Sequence, residues 1–338
     1  MRMKATIEVI AKKCGVSKAT VSYVLNNKKS SLGLSAQTID KVLKVSRELN
    51  YRPDLVAVAL AEKKHQPLTL MVLTPWLYAQ FSDFMVQVNA VMKDFAEDYR
   101  LKTVYETYEI GELSKVLKSP RCAKFDAVIV IGTSEKDHQF LTRNREKLKN
   151  VVLLNRKVAG FPCASGNDRE AAAELAERIL ATGYYEQFII CKAPPVTTCE
   201  QERLSGFANA LRKSGNVEPM ICPLEPAMPP EAQMMKLLAE RDGKRSLYFL
   251  PQYYPAALLD EIAVRRGIRV PEEIGIAAYD QHSLLSQFVK PALTTIDPKI
   301  REMAEEALRL ARCIKDGTKT KSRIIEGVFV PGESAIHI

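Results

Sequence analysis

No stretch of this chain approaches the ~18 consecutive apolar residues that a membrane-crossing helix needs. The apolar run AVIVIG at 127–132 has the length of a buried strand. The amino terminus is basic, but Glu8, Lys12 and Lys13 interrupt the apolar core that an export signal requires, so a cytoplasmic protein without membrane association is expected. Histidine is scarce, with four residues and no H-x-x-H or H-x-x-x-H pair, which leaves no metal site to expect. The seven cysteines include no C-x-x-C and no Cys/His cluster, and an odd, scattered set reads as reduced thiols. G-x-G-x-x-G after the first strand, G-x-x-x-x-G-K-[ST] and G-x-S-x-G are all missing. No catalytic residue and no cofactor is therefore expected.

What the chain does have is a localised charge. Lys and Arg outnumber Asp and Glu by 49 to 40, yet residues 1–65 alone hold 13 basic and 5 acidic residues. The other 273 residues are nearly balanced, at 36 to 35. A basic tail would be poor in apolar residues, whereas this segment is rich in periodic Val, Ile, Leu and Ala. A small folded basic module points to nucleic acid.

In VIAKKCGVSKATVSYVLNN (9–27), Ile10, Ala11 and Cys14 continue a helical face begun by Ile7. Gly15 suits the positive φ that stops a helix, and Ser17 is placed to cap a second helix from Lys18 to Leu25. A close turn between two short helices is the pattern of a helix-turn-helix, whose second helix enters the major groove. Ser35 then caps a third amphipathic helix carrying Ile39, Val42, Leu43, Val45 and Leu49. Beyond Pro53, a short apolar helix near Asp54 is too short to be stable unless something packs on it.

The runs TIEVIA (6–11), GVS (15–17), TVS (20–22) and VLN (24–26), followed by LS (34–35), LNY (49–51), Pro53 and Ala57, resemble the headpiece of the lactose-repressor (LacI/GalR) family. The resemblance implies that Lys18, Ala19 and Tyr23 read bases and that Ser17, Thr20, Ser22 and Asn26 contact phosphates. Thr6, Tyr51 and Ala57 join the DNA-binding set on the same ground. Leu60 matches the hinge-helix leucine that wedges into the minor groove at the operator centre, where an apolar wedge unstacks a base step. Tyr23 stands where several members carry Arg, so a bidentate Arg–guanine contact is not available there. The loop NNKKSSLGLS (26–35) is also longer than the family minimum.

From residue 68 onward, short apolar runs alternate with longer amphipathic ones. LTLMVLT (68–74), AVIVIG (127–132), VVLLN (151–155), QFIIC (187–191), SLYFLP (246–251) and IGIAAYD (274–280) read as strands. Helical patterns cover 84–95, 171–180, 204–211 and 256–266. The alternation indicates α/β architecture with parallel, doubly wound sheets, and its length suits two lobes with a cleft at the strand ends. ERLSGFANAL (202–211), RRGIRVPEEIGIAAYD (265–280) and PALTTIDPKIREMAEEALRL (291–310) resemble the family's regulatory domain, which is similar to periplasmic sugar-binding proteins.

The whole therefore reads as an all-α helix-turn-helix headpiece at 1–52, a hinge helix and linker at 53–66, and a two-lobed α/β periplasmic-binding-protein-like domain at 67–338. The first lobe is expected at about 67–162 plus 294–322, the second at about 163–293 plus 323–338. By resemblance, Arg203 and Asp280 hold an effector; alternatively, they pair with each other or cap helices. Gln252 and Tyr253 replace the family's Asn-Asp pair, and Gln281 replaces the second acid after AAY, which puts a simple sugar effector in doubt. Trp76 and Tyr78 fall where the first lobe's pocket residues lie, to stack on a ring or to pack in the core. The expected function is a transcriptional regulator, a repressor acting as a homodimer on a palindromic operator under control of a small-molecule effector. The rivals are a two-lobed solute-binding protein or a sugar-processing enzyme without a DNA role.

Overall fold

The computed structural model describes residues 7–25, 34–48, 67–76, 83–96, 100–192, 197–225, 227–281 and 285–335. The chain divides into two compact units, Met1–His65 and Gln66–Ile338. The expected hinge segment, 53–66, lies outside the described residues.

In the first unit, α1 (Ile7–Cys14) stops at Gly15, whose φ of +66° is a conformation that residues with a Cβ rarely adopt. Val16 donates its backbone N–H to the Ala11 carbonyl at 3.1 Å and closes the turn. The next helices, α2 (Lys18–Leu25) and α3 (Ala36–Glu48), are capped alike. Ser17 Oγ accepts from the Thr20 backbone N–H at 3.0 Å, and Ser35 Oγ from that of Thr38 at 3.2 Å. Ile10, Ala11, Cys14, Val21 and Val42 are buried between the three helices, with Val16, Val24 and Val45 packed around them. The helical periodicity of the sequence thus closes a small core.

The second unit begins as β1 (Thr69–Thr74), α4 (Asp83–Asp94), β2 (Lys102–Thr107), α5 (Leu113–Leu117), β3 (Ala127–Val130), α6 (Glu135–Asn144), β4 (Val151–Leu154) and β5 (Cys163–Gly166). It continues as α7 (Asp168–Ala181), β6 (Gln187–Lys192), α8 (Thr198–Gly215), β7 (Met220–Pro223), α9 (Pro230–Ala239), β8 (Ser246–Leu250), α10 (Tyr253–Arg265) and β9 (Ile274–Ala278). The chain then returns through β10 (Thr295–Asp297), α11 (Ile300–Lys315), β11 (Arg323–Ile325) and β12 (Val328–Val330). One parallel sheet has the order β11-β5-β4-β3-β1-β2, a second β7-β6-β8-β9, and β10 pairs antiparallel with β12.

Central strands such as VVLL and SLYFL are apolar at every position because helices cover both faces of each sheet. Leu70, Val72, Ile129 and Val152 face Val88 of α4 and Met303, Ala307 and Leu310 of α11. Met71, Leu73, Val128 and Leu153 face the other way, toward Leu113 and Leu141. In the second sheet, Leu247 and Phe249 pack with α7 and α8, whereas Tyr248 and Leu250 pack with α9 and α10. The Phe207 and Phe249 rings lie parallel with centroids 4.1 Å apart. Where α7 and α8 meet, a Cβ on Gly206 would stand 2.1 Å from the Arg169 carbonyl oxygen, so only glycine permits this approach.

The lobe boundaries fall a few residues from where the sequence suggests. Cys163–Gly166 and Arg323–Ile325 belong to the first sheet, and Thr295–Asp297 pairs with β12 beside the second. Strands of three or four residues such as CASG and RII carry too little apolar pattern to show their sheet. The chain therefore crosses between lobes after Gly166, after Asp297 and after Ile325. The crossings are tied together, with the Gly327 N–H donating to Asn167 Oδ1 at 2.8 Å.

Asp260 of α10 is 1% exposed, and burial pushes its carboxyl from 3.8 up to about 7. The folded protein keeps a proton there that the unfolded chain releases near pH ~4. The stabilisation from this group is thus full at low pH and is lost as pH rises from about 4 through 7. Asp260→Asn should flatten the pH dependence of thermal unfolding between about pH 4 and 7 and raise Tm at the upper end. Equal slopes in variant and parent would show that Asp260 is ionised in the fold.

Candidate DNA-binding surface and ligand cleft

The first turn of α2 presents Ser17 and Lys18 to solvent, with Thr20 half-buried beneath them. The Ser17 and Thr20 hydroxyls lie 2.8 Å apart, so the cap fixes both side chains before any contact with DNA. Lys18 Nζ sits 2.8 Å from the Glu8 carboxylate, whose pKa is lowered by that hydrogen bond. Both side chains are well exposed, so this pair is weak and can yield to a phosphate. Lys12, Lys13, Lys41 and Lys44 add exposed positive charge to the same unit. Ala19, Ser22 and Tyr23 belong to α2. Thr6, Asn26, Tyr51, Ala57 and Leu60 lie outside the described residues.

In the second unit, Arg203 of α8 is buried and fully engaged. Its Nε donates to Asp168 Oδ1 at 2.9 Å, and its Nη1 to the Pro251 carbonyl at 2.9 Å and to Asp280 Oδ2 at 3.2 Å. Nη2 lies 3.0 Å from Asp280 Oδ1, and the guanidinium carbon stands 3.9 Å from the Tyr279 ring centroid. Burial opposes the charge, but Asp280 and Asp168 outweigh it and hold the Arg203 pKa well above its usual range. Arg203 thereby joins the start of α7 to the ends of β8 and β9. Asp280 occupies a left-handed conformation, φ +74°, that this pairing helps to hold.

The other expected ligand residues are placed differently. Tyr253 is turned into the second lobe's core, where burial pushes its hydroxyl up to about 12. Gln252 donates to Glu200, whose carboxylate also accepts from the Thr197 N–H at 2.7 Å. Gln281 accepts from Thr295 Oγ1 at 2.8 Å. Trp76 is half-buried against the first lobe's core, edge-on to Phe84 with centroids 6.0 Å apart. Tyr78 lies outside the described residues. The structure thus unites Arg203 with Asp280 and leaves Gln252, Tyr253 and Trp76 apart from them.

A polar cavity of about 500 Å³ opens between the lobes, at the carboxyl ends of β4 and β5 and the amino ends of α7 and α8. His138, Asn155, Arg156, Ser165, Asp168 and Cys199 are among its lining residues. His138 Nε2 lies 2.8 Å from Thr133 Oγ1 and 3.4 Å from Thr198 Oγ1, so the ring touches both lobes. Burial lowers its pKa, which favours the neutral ring. Asp168 links the cavity to Arg203. Sequence reasoning passed over His138, Asn155, Arg156 and Asp168. The available signal was the Asn-Arg pair directly after the apolar strand VVLL, at the strand end where doubly wound folds bind ligands. No group of acidic, histidine or cysteine residues able to hold a metal occurs among the described residues, and none of their helices is long and apolar enough to cross a membrane.

Comparison with known proteins agrees with both units. Residues 6–54 match the model of the lacI family of bacterial regulatory proteins. Residues 70–229 match that of the periplasmic binding proteins and sugar binding domain of the LacI family, and 176–335 a periplasmic binding protein-like domain. The chain is 26% identical to the probable HTH-type transcriptional repressor ExuR of Bacillus subtilis, over 95% of each chain. It is also 26% identical to the HTH-type transcriptional regulator GalR of Escherichia coli, over 97% of this chain and 93% of the relative. The lac repressor dimer bound to operator and the anti-inducer ONPF superposes with a TM-score of 0.65 at 21% identity, covering 98% of this chain and 99% of that one. The chain belongs to the LacI/GalR family of DNA-binding transcriptional regulators.

Proposed function

We propose that this regulator is a cytoplasmic repressor that binds a palindromic operator as a homodimer and responds to a small molecule held between its lobes. One observation carries the reading: a basic helix-turn-helix, its second helix capped and its first turn exposed, shares a chain with a two-lobed body whose strand ends enclose a polar cavity. The headpiece lysines supply a salt-dependent phosphate term, and the recognition helix with the hinge supplies sequence. The effector changes the geometry of the lobes, and through residues 53–66 that change favours or disfavours DNA binding. A repressor among the relatives, and a lac repressor structure that holds a dimer, an operator and an anti-inducer, support the finer reading.

The direct test is in-vitro selection from random DNA by the purified full chain at two salt concentrations. A palindrome retained at high salt is the expected product; capture that is only salt-sensitive and sequence-independent would refute the operator. Leu60→Ala should weaken binding to the selected site by tenfold or more while changing non-specific binding less than about twofold. Equal losses on both DNAs would remove the wedge. Arg203→Ala leaves Asp168 and Asp280 as uncompensated charges, so it should lower stability by roughly 3–5 kcal/mol, seen as a drop in the urea midpoint. A midpoint that does not move would mean that the network is not what joins α7 and α8 to the strand ends.

A further inference from the structure

The cavity between the lobes contains a cation that the protein does not neutralise. Arg156 follows β4 directly and is 2% exposed. Its Nη1 donates to the Asn155 carbonyl, while Nε and Nη2 have no hydrogen-bond partner. These two nitrogens form the side of the guanidinium on which two N–H bonds run parallel, the edge that receives both oxygens of a carboxylate or phosphate at once. The carboxylates lining the cavity do not serve this edge. Asp168 is bound by Arg203 and Glu202 by Arg169, while Glu135 and Glu170 are exposed to solvent. Cys199, also in the lining, is a buried thiol whose ionisation burial disfavours. Lys157, the next residue, is exposed and brings a second positive charge to the lining.

Two further features bear on what would bind. The amino ends of α7 and α8 line the same cavity, and their preference for negative charge is met in part by Asp168, Glu170 and Glu200 of their own first turns. Beside the guanidinium, Asn155 Oδ1 is buried without a donor, an acceptor suited to a hydroxyl. A buried guanidinium with at least three of its five N–H donors idle is costly in a ligand-free protein, and an oxyanion on that edge offsets the cost.

We infer that the effector is a small hydroxylated anion, its carboxylate or phosphate seated on the Nε/Nη2 edge of Arg156 and a hydroxyl bound to Asn155. This rests on the reading of the cavity as the effector site and goes beyond it by naming the class of ligand. Gln252, Tyr253 and Gln281, which stand where a sugar site of the family carries amide and acidic groups, do not line this cavity, and Gln252 and Gln281 bond to protein groups.

The test is thermal unfolding of the full chain in chloride, acetate or inorganic phosphate at equal ionic strength, and with D-glucose, D-gluconate or D-glucose 6-phosphate. The parent should gain at least about 3 °C with acetate or phosphate over chloride, with a larger gain from the hydroxylated counterpart of the same group. Gluconate above glucose 6-phosphate would assign a carboxylate, and the reverse order a phosphate. Arg156→Met should lose this response and unfold at a higher temperature than the parent without ligand, since it removes an unpaired buried charge. Arg156→Lys, which keeps the charge but not the edge, should bind at least tenfold more weakly by calorimetry. The proposal is overturned if no anion shifts the parent beyond chloride, or if Arg156→Met responds as the parent does. A rise with D-glucose that is equal in parent and Arg156→Met would leave the cavity as a ligand site and remove only the anion.

Discussion

The second unit is organised around one guanidinium that is almost fully buried. Arg203 cannot lose its proton, so its burial obliges the fold to bring carboxylates to it, and Asp168 and Asp280 come from two different elements to do so. The planar donor set then fixes direction as well as distance. The start of α7, the middle of α8, the carbonyl that follows β8 and the residue that follows β9 all take their positions from it. Because the amino ends of α7 and α8 form one wall of the cavity, the shape of that cavity is set by a network that lies behind it. Gly206 contributes by allowing the two helices to meet at backbone distance.

Arg156 shows the opposite arrangement of the same side chain. Both arginines are almost fully buried, but one is paired with two carboxylates, and the other has two nitrogens without a hydrogen-bond partner beside a cavity. The first arrangement ties several elements together, and the second leaves idle donors beside a cavity. His138, whose neutral form burial favours, lies within hydrogen-bond reach of Thr133 on one lobe and Thr198 on the other.

The sequence spoke most clearly where a pattern had room to repeat. The headpiece helices, their serine caps and the Gly15 turn could be read from spacing alone, as could β1, β3, β4, β6, β8 and β9, each a run of apolar residues buried on both faces. The half-exposed β2 and the exposed β7 were not legible, because KTVYET and MICP carry polar or turn-forming residues and lack a continuous apolar stretch. The small and polar residues of β5 (CASG) hid it, and the three-residue β10, β11 and β12 were hidden for want of length. At the site, resemblance singled out Arg203 and Asp280, and the structure brings them together. It did not foretell that Tyr253 turns into the core, since an aromatic at a helix start serves either ligand or packing. Nor did local pattern identify Arg156, because whether a buried arginine has partners depends on residues far away in the chain.

The order in which the strands join their sheets has a consequence for biosynthesis. The first sheet is not finished by its own early segments: β5 pairs with β11, and Cys163 N–H donates to Ser322 Oγ across 159 residues of chain. One face of that sheet is covered by α4 together with α11, which lies just before β11. While the ribosome is still making the second lobe, the first lobe therefore presents part of an apolar sheet face and an unpaired strand edge to the cell. Both are surfaces that chaperones bind and that aggregates grow from. The nascent chain spends the synthesis of more than a hundred residues in that state, so expression yield should depend more on the speed of translation past β5 than on the stability of the finished protein.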